Sequence, residues 1–366
     1  MSTPLASLRK PQRPYFSSGP TVKPVGWSPQ AVAERFPLGR THRAPPCQAL
    51  LDEARARTHA MLNLPDDYVL MLTPGSATGA LEMALWNLLG PLEADVLAAD
   101  PFGHNWAQDG RSLLGDRAHV HTASDFSVPS LGALHPKRDG LMVVNATPTG
   151  TWQLPPARAA DDPGLSMVDI TSAAFLHDFD WSTIDVAGFS WQKALGGEAQ
   201  HGMLILSPKA LARLEAGPYR PLPKMMTMRP EYLRGLAVNT PSFLAVADWL
   251  WLLDWAEGLG GLHALMARTR ANAQHVSEAI ENSKHWQFAV EPDHRSNISM
   301  TLTLKDGGDR ETYQTLAKRL ADAGAGFDLM GHRKAAPCLR IWCGPTVEAE
   351  DIQALMPWFD WAVENT

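Results

Sequence analysis

The chain is expected to fold as an α/β protein: a mostly parallel sheet covered by helices on both faces, followed by a smaller α+β unit. Two observations lead there. From Leu50 to Leu206, short apolar runs of strand length alternate with longer segments of helical spacing, the signature of a sheet buried on both sides. Beyond Asn239-Thr240-Pro241 the pattern changes to two long helices and then strand, strand, helix, strand, helix.

Taken in order, residues 1–48 are rich in Pro, Gly and Ser, show little periodicity, and read as an irregular arm that packs on something else. A large α/β domain is expected over residues 49–258. It starts with a helix near Ala49–Leu62, a strand at Tyr68–Thr73, a helix at Ser76–Leu89, a strand at Asp95–Ala99 and a helix around Asn105–Leu114. Strand-like runs recur at Ala118–Thr122, Leu141–Asn145, Leu165–Asp169, Val186–Ser190 and Met203–Leu206. A helix carrying Trp249, Trp251 and Trp255 closes this domain, and the three rings are expected in the core or at a subunit contact. The small domain, residues 259–366, has a long helix to Asn282 and then Trp286–Val290, Ile298–Leu304, Glu311–Ala323, Cys338–Cys343 and Val347–Glu364.

Composition narrows the function classes. A chain of 366 residues with 45% hydrophobic and 19% charged content can bury two cores and is not disordered. A net charge of −7 argues against nucleic acid as the main partner, since phosphate binding needs a basic face. Cys47, Cys338 and Cys343 are odd in number and form no CxxC pair, so reduced thiols and a cytoplasmic setting are expected. The first residues lack the apolar stretch of a signal peptide. Asp248, Asp254 and Glu257 interrupt the apolar segment Phe243–Leu259, which excludes a membrane span there. There is no His-Glu-x-x-His, Walker A or GxGxxG motif, and no spaced Cys/His set.

Four features stand at the carboxyl ends of expected strands, where ligands gather in such sheets. Thr73-Pro74-Gly75-Ser76-Ala77-Thr78-Gly79 joins a strand to a helix, and free N–H groups at such a junction suit a phosphate. Thr147 lies in the turn after Leu141–Asn145 and can donate to the phenolic oxygen of a pyridine cofactor. Asp169 ends one strand, and Lys193, in Ser190-Trp191-Gln192-Lys193, follows another. A lysine and a carboxylate so placed are how many pyridoxal phosphate (PLP) enzymes hold their cofactor: the lysine forms a Schiff base with the aldehyde, and the carboxylate keeps the ring nitrogen protonated. Ser190-x-x-Lys193 also fits the nucleophile motif of penicillin-recognising enzymes, but their Ser-Asp-Asn and Lys-Thr-Gly motifs are absent. Two basic groups remain, Thr41-His42-Arg43 and Gly331-His332-Arg333-Lys334 with Arg340, of the kind that grips carboxylate or phosphate.

These motifs together resemble the phosphoserine aminotransferase family, a class V group within the aspartate-aminotransferase-like fold (PLP fold type I). The resemblance runs from Phe16-Ser17-Ser18-Gly19-Pro20 through Thr41-His42-Arg43, Asp169-Ile170-Thr171-Ser172, Trp191-Gln192-Lys193 and Asn239-Thr240-Pro241 to Gly331-His332-Arg333 and Arg340. It implies PLP-dependent transfer of an amino group from glutamate to 3-phosphohydroxypyruvate in serine biosynthesis. The related phosphorylated keto acid of vitamin B6 synthesis stays open as a second substrate. Lys193 and Asp169 take the catalytic roles; Ala77, Thr78, Gln192 and Thr147 take cofactor roles. Asn239 and Thr240 reach the cofactor phosphate from the neighbouring subunit of a homodimer. Arg340 binds the α-carboxylate; His42 and Arg43 of the second subunit, with His332 and Arg333, bind the distal anion. Thr78 falls where the better-known branch has a substrate-binding arginine, leaving the distal site less cationic. Phe102 and Trp106 both fit the aromatic that stacks on the cofactor ring, and the larger indole face favours Trp106. A serine- or alanine-glyoxylate aminotransferase of the same fold is the nearest rival.

Overall fold

A computed structural model of the chain describes residues 8–34, 39–159 and 161–365; residues 1–7 and 35–38 of the expected arm lie outside them. The elements begin with α1 (Pro29–Ala33), α2 (Pro45–Met61), β1 (Val69–Pro74), α3 (Ser76–Leu88), β2 (Ala94–Ala98), α4 (Pro101–Leu114) and β3 (Ala118–Thr122). Next come β4 (Asp139–Val143), β5 (Asn145–Ala146), β6 (Thr151–Trp152), β7 (Ser166–Asp169), β8 (Val186–Ser190), β9 (His201–Leu206), α5 (Pro208–Glu215) and α6 (Pro230–Leu233). The last are α7 (Phe243–Leu259), α8 (Gly261–Asn282), β10 (Trp286–Phe288), β11 (Ser299–Leu304), α9 (Arg310–Asp322), β12 (Leu339–Trp342) and α10 (Ala349–Glu364).

Seven strands form the main sheet in the order β1-β9-β8-β7-β4-β2-β3. From β8 to β3 the neighbours pair in parallel, and β9 runs antiparallel to both β8 and β1. All strands but β9 therefore end at the same edge. Successive residues send their side chains to opposite faces, and both faces are buried. Leu70, Leu72, Val168, Ile170, Ala187 and Phe189 face one core with α2 and α7. Met71, Met167, Val186 and Leu204 face the other, with Leu81 and Leu85 of α3 and Ala107 of α4. That two-sided burial keeps the central strands largely apolar, whereas edge strand β3 carries the partly exposed His119 and His121.

Helix α4 starts at Pro101 rather than near Asn105, because Asp100 caps it through Gly103 N–H at 2.7 Å and proline suits its first turn. Helix α2 likewise starts earlier than expected, at Pro45. Helix α5, capped by Ser207 with Pro208 following, and the β5–β6 hairpin were not apparent in the periodicity. Trp249 is 1% exposed, while Trp251 and Trp255 are half-buried against the same core.

Helix α7 ends where Gly260 adopts a left-handed φ of 111°, and α8 begins at the next residue. Asp248 within α7 is buried and satisfied, accepting from Lys23 Nζ at 2.7 Å and Trp27 Nε1 at 2.8 Å. Strands β10, β11 and β12 form an antiparallel sheet, and α8, α9 and α10 pack in the same buried cluster. The arm links the two sheets: Phe327 N–H donates to Pro14 O at 2.7 Å, Trp342 N–H to Phe16 O at 3.3 Å, and Thr21 N–H to Gln192 O at 3.0 Å. No helix among the described residues is long and apolar enough to cross a membrane.

Candidate active site

The carboxyl ends of β1, β2, β4, β7 and β8 open onto one cavity of about 240 Å³. Each end contributes a wall: Ser76, Ala77 and Thr78 after β1, Phe102 and Trp106 after β2, Asn145 and Thr147 after β4, Asp169 from β7, and Gln192 and Lys193 after β8. Gly19 and Pro20 of the arm close it. The turn into α3 is tight: Gly75 has φ 78°, and Ser76 is a non-glycine residue at φ 59°, a strained conformation typical of binding sites. Gly75 has no side chain to cap α3, so the first-turn N–H groups of Ala77 and Thr78 are left to an incoming anion.

Lys193 donates from Nζ to Ser18 O, and a Cβ on Gly19 would collide with its ammonium group, so only glycine lets the arm pass so close. Burial, with the nearby charge of Arg340, pushes the Lys193 amine down to about 8. Asp169 is 6% exposed and burial raises its pKa. The Thr171 side chain, with Thr171 N–H on Oδ1 at 2.9 Å and Trp106 Nε1–H on Oδ2 at 3.2 Å, opposes that rise. Sequence reasoning passed over Asp100. Its carboxyl is buried, its Oδ2 has no partner, and burial pushes it up to about 7, with the Asp169 charge adding. The Asp-Pro pair at a strand end was the available signal for its capping role, but nothing in the sequence marked its burial. Ser172, given no role from the sequence, exchanges hydrogen bonds with Asn145 at 2.9 and 2.6 Å and fixes the turn that carries Thr147.

Trp106 is 4% exposed and turns its N–H to Asp169. Phe102 is 38% exposed in the first turn of α4, with its ring centroid 5.8 Å from that of His332. Arg340, on β12, donates from Nη1 to Thr147 O at 3.1 Å, which ties the small sheet to the cavity, and its buried Nε has no partner. His332 lies near enough to Arg340, Arg333 and Lys193 that their charges add to burial in lowering its pKa. The remaining expected residues stand apart from this cavity. Thr240 Oγ1 and His42 Nδ1 are 3.4 Å apart on the surface, and Asn239 and Arg43 beside them are exposed.

No protein-family model matches the chain. It is 40% identical over 370 residues to a phosphoserine aminotransferase of Methanosarcina mazei, covering 97% of this chain and 98% of that protein. The chain belongs to the phosphoserine aminotransferase family. The PLP-bound phosphoserine aminotransferase of Trichomonas vaginalis superposes with a TM-score of 0.81 at 21% identity, covering 94% of this chain and 98% of that one. The alanine–glyoxylate aminotransferase of Nostoc sp. also reaches 0.81, at 19% identity, covering 98% and 97%. These two likenesses establish the aspartate-aminotransferase-like fold alone. PLP is the cofactor of phosphoserine aminotransferases, and the residues present fit it. The cavity offers a desolvated lysine, a buried carboxylate, an uncapped helix start and an unpartnered polar atom on Asn145, with an unpartnered Nε on nearby Arg340.

Proposed function

We propose that this chain transfers the amino group of glutamate to 3-phosphohydroxypyruvate, giving phosphoserine and 2-oxoglutarate. One observation supports this beyond family membership: Lys193 and Asp169 line a single cavity, Arg340 lies close enough for its charge to act on Lys193, and His332 packs against the cavity-lining Phe102. When bound, PLP supplies an electrophilic aldehyde and an electron sink.

The chain supplies the rest. Lys193 would hold the aldehyde carbon. Once displaced, its amine, which burial holds below the usual lysine range, would take the proton from the substrate Cα and deliver it to the carbon that came from the aldehyde. Asp169 would keep the ring nitrogen protonated, and that cation would offset the burial that raises its own pKa. Ala77 and Thr78 N–H groups with Gln192 would hold the phosphate, and Thr147 would meet the phenolic oxygen. For the ring face we assign Phe102 rather than the larger Trp106: both line the cavity, but Phe102 is exposed while the indole is buried with its N–H on Asp169. Arg340 would take the α-carboxylate. His332 and Arg333 would bind the distal phosphate or carboxylate, together with His42 and Arg43 of a second copy. That copy would also bring Asn239 and Thr240 to the cofactor phosphate, which accounts for four ligand-type residues lying away from their own chain's cavity, three of them exposed. We place the enzyme in the cytoplasm, where three buried free thiols stay reduced.

The test is a half-reaction titration of the PLP-loaded protein with phosphoserine, glutamate, serine and alanine in turn. Rapid loss of the lysine-bound cofactor absorbance with the first two alone supports the assignment, and Lys193→Ala should abolish both the absorbance and turnover. A response to serine or alanine instead would move the enzyme to the glyoxylate or pyruvate type.

A further inference from the structure

We propose that Trp106 is a positioning residue for Asp169: its indole N–H pins the carboxylate so that it faces the cofactor's ring nitrogen. This inference rests on the PLP reading above. Each oxygen of Asp169 has one protein N–H donor: Thr171 N on Oδ1 at 2.9 Å and Trp106 Nε1 on Oδ2 at 3.2 Å. One donor leaves a carboxylate free to turn about its Cβ–Cγ bond, and two donors on separate oxygens set its plane. The Thr171 donor comes with the strand-end turn itself. The Trp106 donor comes from 63 residues away in sequence and depends on how α4 is seated.

That seating is firm. Asp100 caps α4 through Gly103 N–H at 2.7 Å, and Trp106 follows one turn later with 4% of its surface exposed. The same short stretch thus places two aromatics in two uses, the ring of Phe102 at the cavity and the edge of Trp106 on the carboxylate. The bond also matters electrically, since it opposes the rise in pKa that burial imposes on Asp169. Without charge and orientation there, the ring nitrogen loses its partner.

Trp106→Phe keeps an aromatic ring and removes the donor. Binding of PLP to the cofactor-free protein would be compared with binding of 1-deaza-PLP, in which a carbon replaces the ring nitrogen. Loss of a hydrogen bond to a charged group should weaken PLP about tenfold or more and the carbon analogue less than about twofold. Equal weakening of both, or of neither, would show that Trp106 only fills space and would overturn the inference. Failure of the wild-type protein to bind PLP would overturn the cofactor reading itself, and this one with it. If the smaller ring prevents folding, a benzothienyl isostere at position 106 replaces the N–H by sulfur at nearly constant volume, and the same comparison decides.

Discussion

Asp100 does two things that pull against each other. As a cap it accepts from Gly103 N–H at 2.7 Å, yet its buried position pushes its pKa from 3.8 to about 7. An acid raised on folding is harmless while protonated. Its stabilising balance is whole below its unfolded pKa and is lost as pH rises towards the folded value. The cofactor-free protein should therefore lose up to about 1.4 kcal/mol per pH unit from this group between about pH 4 and 7. Asp100→Asn keeps the capping oxygen and removes the charge, so its denaturant stability should fall less steeply over that window. Parallel pH curves for variant and wild type would refute the assignment. Lys193 has the opposite sign: a cation whose pKa is depressed to about 8 penalises the fold below that pH, and the penalty disappears as pH rises towards 10.5.

Among the elements, the seating of α3 on the sheet decides where a phosphate can bind. Thr73 of β1 pairs with Gly202 of β9, and a Cβ at Gly202 would run into Ser76 O, Thr73 Oγ1 and Ala80 Cβ. Glycine thus lets the first turn of α3 lie almost on the strands, with its N–H groups at the cavity wall. Gly202→Ala should lift that turn, at an overpacking cost of about 1–3 kcal/mol. PLP affinity should fall with it. Denaturant unfolding and cofactor titration read the two effects separately, and unchanged PLP affinity would mean that the α3 turn does not hold the phosphate. The strand-to-helix alternation made α3 and the turn that opens it legible in the residues themselves. Helix α4 was misplaced at its start because Phe102-Gly103-His104 is weak helix sequence, and the Asp100 cap with Pro101 outweighs it.

Across the whole molecule, the residues proposed to act on a second copy can be separated genetically from those that act at home. A Lys193→Ala chain lacks the lysine, and a chain carrying Asn239→Ala with Thr240→Val lacks only what it would lend. Unfolded and refolded together, the two should regain activity that neither has alone, since a mixed dimer contains one complete site. No recovery in confirmed mixed dimers would mean that each chain builds its site unaided. The arm matters at this scale too. It fastens the Lys193 loop to the small sheet through Thr21 and Phe16, so the stretch from Phe16 to Thr21 acts as a strap between them.

The residues alone determined the two-sided sheet and the positions at its strand ends. Both follow from local causes: apolar runs of strand length mark buried strands, and chain polarity puts each following residue at a common edge. The tertiary structure decided what those residues meet. That Trp106 turns its N–H to Asp169 while Phe102 stays exposed at the cavity, that Asp100 is buried beside Asp169, and that Arg340 reaches Thr147 from another sheet depend on contacts between distant parts of the chain. Burial and hydrogen-bond partnership are properties of assembled neighbours, so a single stretch of sequence does not contain them.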